Sequence, residues 1–172
     1  MATDRLLERV QTADWKKEKH VPVIECPSVV KAWELFAVKV TIGKEIAHAN
    51  RTEHHIRWIN VFFQPEGEKF SYQVGNFEFS AHGESTEGPN NGPVYSHPEV
   101  VFSMKINKSG TLYALALCNI HGLWESAKKI RRAPLIEGES QALTTWWAFT
   151  MVVYTRSLAT SYLNAPPALL PR

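Results

Sequence analysis

The chain has 172 residues and a mass of 19.5 kDa, the size of one domain or of one domain with an appendage. At 44% apolar and 21% charged it excludes a disordered or collagen-like chain, and nineteen Lys+Arg against seventeen Asp+Glu leave +2, a weak footprint for a nucleic-acid binder. Two cysteines, Cys26 and Cys118, exclude a disulfide scaffold; the charged start Met1–Val10 carries no signal-peptide core, and the longest uncharged run, Ser140–Thr155, is too short to span a bilayer, so a cytoplasmic protein is expected.

In chain order, the first dozen residues read as a short amphipathic helix or arm with Leu6, Leu7 and Val10 on one side. Phe36, Val38, Val40 and Ile42 alternate with Ala37, Lys39 and Thr41, a half-buried strand that Gly43 ends. A second strand, Ile56 to Gln64, precedes the turn Pro65-Glu66-Gly67. Phe70, Tyr72 and Val74 alternate before Gly75, and Phe77 and Phe79 continue as strand or bend. His82 to Pro98 is rich in Gly, Pro and Asn, which is loop chemistry. Val100, Phe102, Met104 and Ile106 form another strand, and Leu112 to Cys118 the last clear one. Five to seven strands with turns at short spacing predict an antiparallel sandwich or barrel over 1–126. Residues 127–172 read as an extension: the basic cluster Lys128, Lys129, Arg131, Arg132, then an apolar run from Trp146 to Tyr154.

The chemistry lies in the histidines, most of them beside turns. Cys118-Asn119-Ile120-His121 ends a strand, and a Cys and a His three apart turn toward one metal when the strand breaks between them. Alone, such a cysteine is more often a small buried hydrophobe. His48 and His54 bracket a short loop between two strands, from which they can meet a third histidine on an adjacent loop, although an isolated pair of this kind is more often solvated loop residues. Several imidazoles with one thiolate point to a transition metal, and ligand softness leaves zinc, copper and iron open. His55 adjoins His54 on an extended segment and points the other way, so it is not expected to ligate; His82 and His97 read as structural or surface residues.

Four separated motifs then bear a resemblance. Glu18-Lys19-His20-Val21-Pro22, Gly43-Lys44-Glu45-Ile46-Ala47-His48, Thr52-Glu53-His54-His55-Ile56 and Cys118-Asn119-Ile120-His121-Gly122-Leu123-Trp124 resemble the superoxide reductase family, in its one-iron neelaredoxin branch related to desulfoferrodoxin. Ala81-His82-Gly83-Glu84-Ser85 and Gly88-Pro89-Asn90 fit as well, and the resemblance covers roughly 13–126. It implies an all-β, immunoglobulin-like antiparallel β-sandwich holding one mononuclear non-haem iron that cycles between Fe2+ and Fe3+. His20, His48, His54 and His121 would be its four nitrogen ligands, with Cys118 the axial thiolate. Glu18 matches the carboxylate that closes the position trans to sulfur in the oxidised state, and Lys19 the cation beside the open face. The implied reaction is one-electron reduction of superoxide to hydrogen peroxide, with an external donor such as rubredoxin. An iron protein of this fold serving small-molecule biosynthesis, or a non-catalytic iron-binding or sensing module, is the alternative. Ala49 stands where the family has proline, a change expected to loosen the His48–His54 segment. The family offers no guide to the extension. Its apolar run favours a subunit interface in a homo-oligomer, a tetramer being what the resemblance to the one-iron branch implies, with membrane contact as the second choice.

Overall fold

The computed structural model describes residues 5–134. The chain divides after Ala133, and the expectations for the apolar run Trp146–Tyr154 lie outside the described residues. The described chain is an all-β, immunoglobulin-like sandwich preceded by one 3-10 turn, Leu6–Arg9. Its strands are β1 Val23–Glu25, β2 Val29–Val30, β3 Phe36–Thr41, β4 Ile56–Pro65, β5 Tyr72–Glu78, β6 Glu99–Met104, β7 Gly110–Cys118 and β8 Gly122–Arg132. One sheet has the order β1-β3-β6 and the other β2-β8-β7-β4-β5. All pairings are antiparallel except β2 with β8, a two-residue parallel contact at a sheet edge. Among the described residues no helix is long and apolar enough to cross a membrane.

The core follows from alternation. Val38 and Val40 of β3 face Ile59 and Val61 of β4 and Leu112 and Ala114 of β7, all fully buried in one cluster. Burying a side chain of the Val, Leu or Ile type stabilises by roughly 1.5–3 kcal/mol, so these two inner faces hold the sheets together. β4 breaks the period once. Ile56 pairs with Cys118 and Trp58 with Leu117, which leaves Arg57 as an extra residue. That bulge lets Ile56 and Ile59, three apart, both enter the core, and it bends the strand directly after His54 and His55.

β8 runs six residues past 126 and takes the basic cluster into the sheet, where Arg131 and Arg132 pair with β2 and Ile130 is buried. The sequence hides this strand because Ile130 is its only buried residue, with charged side chains around it. The N-terminal arm is a strand-like edge contact beyond its 3-10 turn: Gln11 pairs parallel with Trp124, and Glu125 N–H donates to the Gln11 carbonyl at 2.9 Å.

Candidate metal centre

One end of the sandwich gathers the candidate residues from four segments. Ile56 and Cys118 are register partners, so the start of β4 and the end of β7 lie side by side, and His54 is two residues before that pair. β7 and β8 form a hairpin whose closing pair is Cys118 with Gly122, and His121 sits on the three-residue connection. Gly122 has φ +74, the left-handed conformation that such a hairpin needs at its last position. The strand break expected between Cys118 and His121 is this turn. The β3–β4 loop brings in His48. Here Gly43, with φ +76, is required for a second reason: a Cβ on it would lie 2.6 Å from the His48 backbone nitrogen. His20 precedes β1 and is 4% exposed.

The four imidazoles form a square. Ring centroids are 4.7 Å apart for His20–His48, 4.7 Å for His48–His54, 4.9 Å for His54–His121 and 4.7 Å for His20–His121, with a diagonal of 6.4 Å for His20–His54. Half that diagonal, about 3.2 Å, is what a metal–nitrogen bond of ~2.1 Å plus the radius of an imidazole spans. His20 Nε2 and His121 Nδ1 are 3.1 Å apart. Two nitrogens at right angles on one metal with ~2.1 Å bonds lie at about 3.0 Å. Cys118 Sγ lies 3.5 Å from His121 Nδ1, and the donor atoms of His20, His54, Cys118 and His121 all fall within 4.8 Å of one another. His48 is not in that tightest group, although its ring closes the square.

The nitrogens left over fit a bound metal. His48 Nε2 and His54 Nε2 are buried and have no hydrogen-bond partner, a costly state for polar atoms that a metal relieves. His48 Nδ1 donates to the Ala49 carbonyl at 2.6 Å, which fixes the tautomer and leaves Nε2 a lone pair. Burial pushes the His48 pKa down to about 4 and lowers those of His20 and His54, so all three rings are neutral, ligand-competent imidazoles near pH 7. Cys118 is 1% exposed, and its sulfur accepts the His121 backbone N–H at 3.4 Å.

Glu18 stands outside the donor cluster. Its Oε1 is 2.6 Å from His20 Nδ1, the carboxylate–histidine arrangement that orients a ligating ring, and this bond holds its carboxyl below the usual pKa. Lys19 is half-buried, and its charge disfavours protonation of His20, His48 and His54. His55 and His82 are buried and stacked on one another, with ring centroids 3.6 Å apart, and neither belongs to the square. Sequence reasoning assigned no role to two further residues. Trp124 stacks on His20 at 4.9 Å with an interplanar angle of 16°, and its Nε1–H donates to the His121 carbonyl at 3.2 Å. Asn119 accepts the His55 N–H through Oδ1 and donates to the Glu53 carbonyl through Nδ2, both at 2.9 Å. Their place in the motif was the only local signal, because their partners are remote in sequence.

Fold and site together define a β-sandwich protein with a His/Cys cluster of the kind that holds a transition metal. The Desulfoferrodoxin family model matches residues 12–127, and the chain belongs to the desulfoferrodoxin family. It is 60% identical over 126 residues to the neelaredoxin of Megalodesulfovibrio gigas, covering 73% of this chain and 97% of that one. It is 58% identical over 119 residues to the superoxide reductase of Pyrococcus furiosus, covering 69% and 94%. The structure of superoxide reductase (neelaredoxin) from Archaeoglobus fulgidus in the reduced form superposes with a TM-score of 0.66 at 56% identity, covering 71% of this chain and 98% of that one.

Proposed function

We propose that this protein is a superoxide reductase: O2•− takes up one electron and two protons and leaves as hydrogen peroxide, and an external donor restores the electron. The observation that carries the reading is the imidazole square beside the Cys118 sulfur, with two buried Nε2 atoms that have no protein partner. In this reading His20, His48, His54 and His121 would hold one iron through their ring nitrogens and Cys118 through its thiolate. The iron supplies the one-electron Fe2+/Fe3+ chemistry when bound.

The chain's own residues do the rest. Lys19 places a cation beside the donor cluster, which raises the local concentration of a small anion and offsets the negative charge that grows as it is reduced. Glu18, held ionised, orients His20 by accepting its Nδ1–H, and would be the nearest carboxylate on offer to a bound iron. The His121 N–H bond to Cys118 Sγ tempers how much electron density the thiolate donates. His121 is exposed, so protons and donor reach this edge directly. Rubredoxin or a similar small redox protein as the donor, a homotetrameric assembly and a cytoplasmic location belong to the same reading. Two free cysteines fit a reducing compartment.

The test is stopped-flow counting of donor oxidised per superoxide consumed. One donor electron per superoxide supports reduction; undiminished turnover without any donor would make the protein a dismutase. A Lys19→Ala variant should consume superoxide more slowly at low salt, and the deficit should shrink as salt rises.

A further inference from the structure

The motifs around His82 and Asn90 are used neither by the metal site nor by the reaction, yet they converge on the loop that carries two of the four imidazoles. We propose that His82 and Asn90 are positioning residues: they clamp the β3–β4 loop and thereby set where the rings of His48 and His54 stand. The inference rests on the reading of those two histidines as metal donors.

Asn90 addresses the two residues immediately before His54. Thr52 N–H donates to its Oδ1 at 2.9 Å, its Nδ2 donates to Glu53 Oε2 at 2.8 Å, and its own N–H donates to Thr52 Oγ1 at 3.2 Å. Its carbonyl accepts the Tyr95 hydroxyl at 3.0 Å. It holds these partners from φ +65, a left-handed conformation that asparagine tolerates better than most residues. His82 addresses the other side of the loop. It is 3% exposed and lies face to face with His55, 3.6 Å between centroids and 8° between planes. Its two ring nitrogens each lie 2.8 Å from an oxygen, Nε2 from the Phe79 carbonyl and Nδ1 from Asn50 Oδ1, the one that carries the proton donating, and its carbonyl accepts Thr52 Oγ1–H at 3.1 Å. Asn50, two residues after His48, is fixed in turn by donating to the Ser96 carbonyl at 2.8 Å.

Asn50, Thr52 and the Glu53 carboxylate are thus held from the loop 82–97, Arg51 and His54 pair through their backbones, and Asn119 holds the Glu53 carbonyl. The clamp matters because the Nε2 atoms of His48 and His54 have no protein partner of their own. Among the described residues no hydrogen bond holds those nitrogens, so a shift of the loop moves the donors with it.

The experiment uses the full chain loaded with Co2+, following loss of the thiolate-to-cobalt absorption as excess EDTA removes the metal. Variants are Asn90→Gly, which keeps the backbone conformation, His82→Phe, which keeps a ring against His55, and Ile130→Val, a core change at the opposite end of the sandwich. Asn90→Gly and His82→Phe should each release metal about 10–100-fold faster, the range seen when partners of ligands are removed. Ile130→Val should lower the Tm and leave release unchanged. Parental release rates in Asn90→Gly and His82→Phe would overturn the clamp, as would equal acceleration in Ile130→Val. Should His82→Phe fail to fold, Asn90→Gly decides alone. A parent protein that binds Co2+ without the thiolate band would overturn the donor set itself; the band with unchanged release overturns only the clamp.

Discussion

Four of the five ligand candidates fall into two regions that reach the same precision by different means. Cys118 and His121 stand on the β7–β8 hairpin, where backbone pairing sets the register and one left-handed glycine closes the turn. His48 and His54 stand on the β3–β4 loop, whose shape is fixed by side-chain hydrogen bonds from residues 30 to 66 positions away. A hairpin spreads its stability over a ladder of bonds and tolerates the loss of one. A loop held by individual side chains concentrates it, so each loss moves a ligand. Asn119 joins the two regions, standing on the hairpin and binding both Glu53 and His55.

The largest expected effect removes the hairpin's own donor. Cys118→Ser should abolish the thiolate-to-iron absorption of the oxidised protein and weaken metal retention, and retention of that band would remove Cys118 from the ligand set. The fold should survive, because the register of β7 with β4 and β8 does not depend on the sulfur.

A matched pair of glycine changes sharpens the comparison. Gly43 and Gly122 have almost the same φ, +76 and +74. A Cβ at Gly122 meets nothing within 4 Å, while one at Gly43 meets the His48 backbone nitrogen at 2.6 Å. Gly122→Ala should cost about 1–2 kcal/mol of stability, the left-handed penalty alone. Gly43→Ala should cost more and also lower bound metal, because His48 itself must shift. Urea unfolding with metal analysis measures both, and equal effects would erase the distinction between the two regions.

The contrast also explains what was legible in the sequence. Strands β3, β4, β6 and β7 announce themselves because one face is buried, so apolar and polar residues alternate. β8 stays hidden, since alternation fades when Ile130 alone reaches the core, and β2 is two residues long. The candidate ligands were visible because their motifs are local. Ala49 lies in a segment where its carbonyl accepts from His48 Nδ1 and the next residue, Asn50, donates to the Ser96 carbonyl. Bonds such as Asn90 to Glu53 or His82 to Asn50 join residues 37 and 32 apart and leave no periodic trace.

A smaller effect is expected from pH. Burial holds the His48 pKa at about 4 and lowers those of His20 and His54 from 6.5. The unfolded chain therefore binds more protons than the folded one between these values, and folding is favoured as pH rises. The metal-free protein should have the full benefit above about pH 6.5 and lose it as pH falls toward 4. Urea midpoints across that window check this. His48→Gln should flatten the decline, and a flat profile in the parent would contradict neutral buried rings.

The most direct measurement is X-ray absorption at the iron edge of the reduced, iron-loaded protein. The account predicts one sulfur scatterer and four imidazole nitrogens, with one imidazole fewer in a His48→Ala variant. A first shell without sulfur, or one unchanged by His48→Ala, would contradict it.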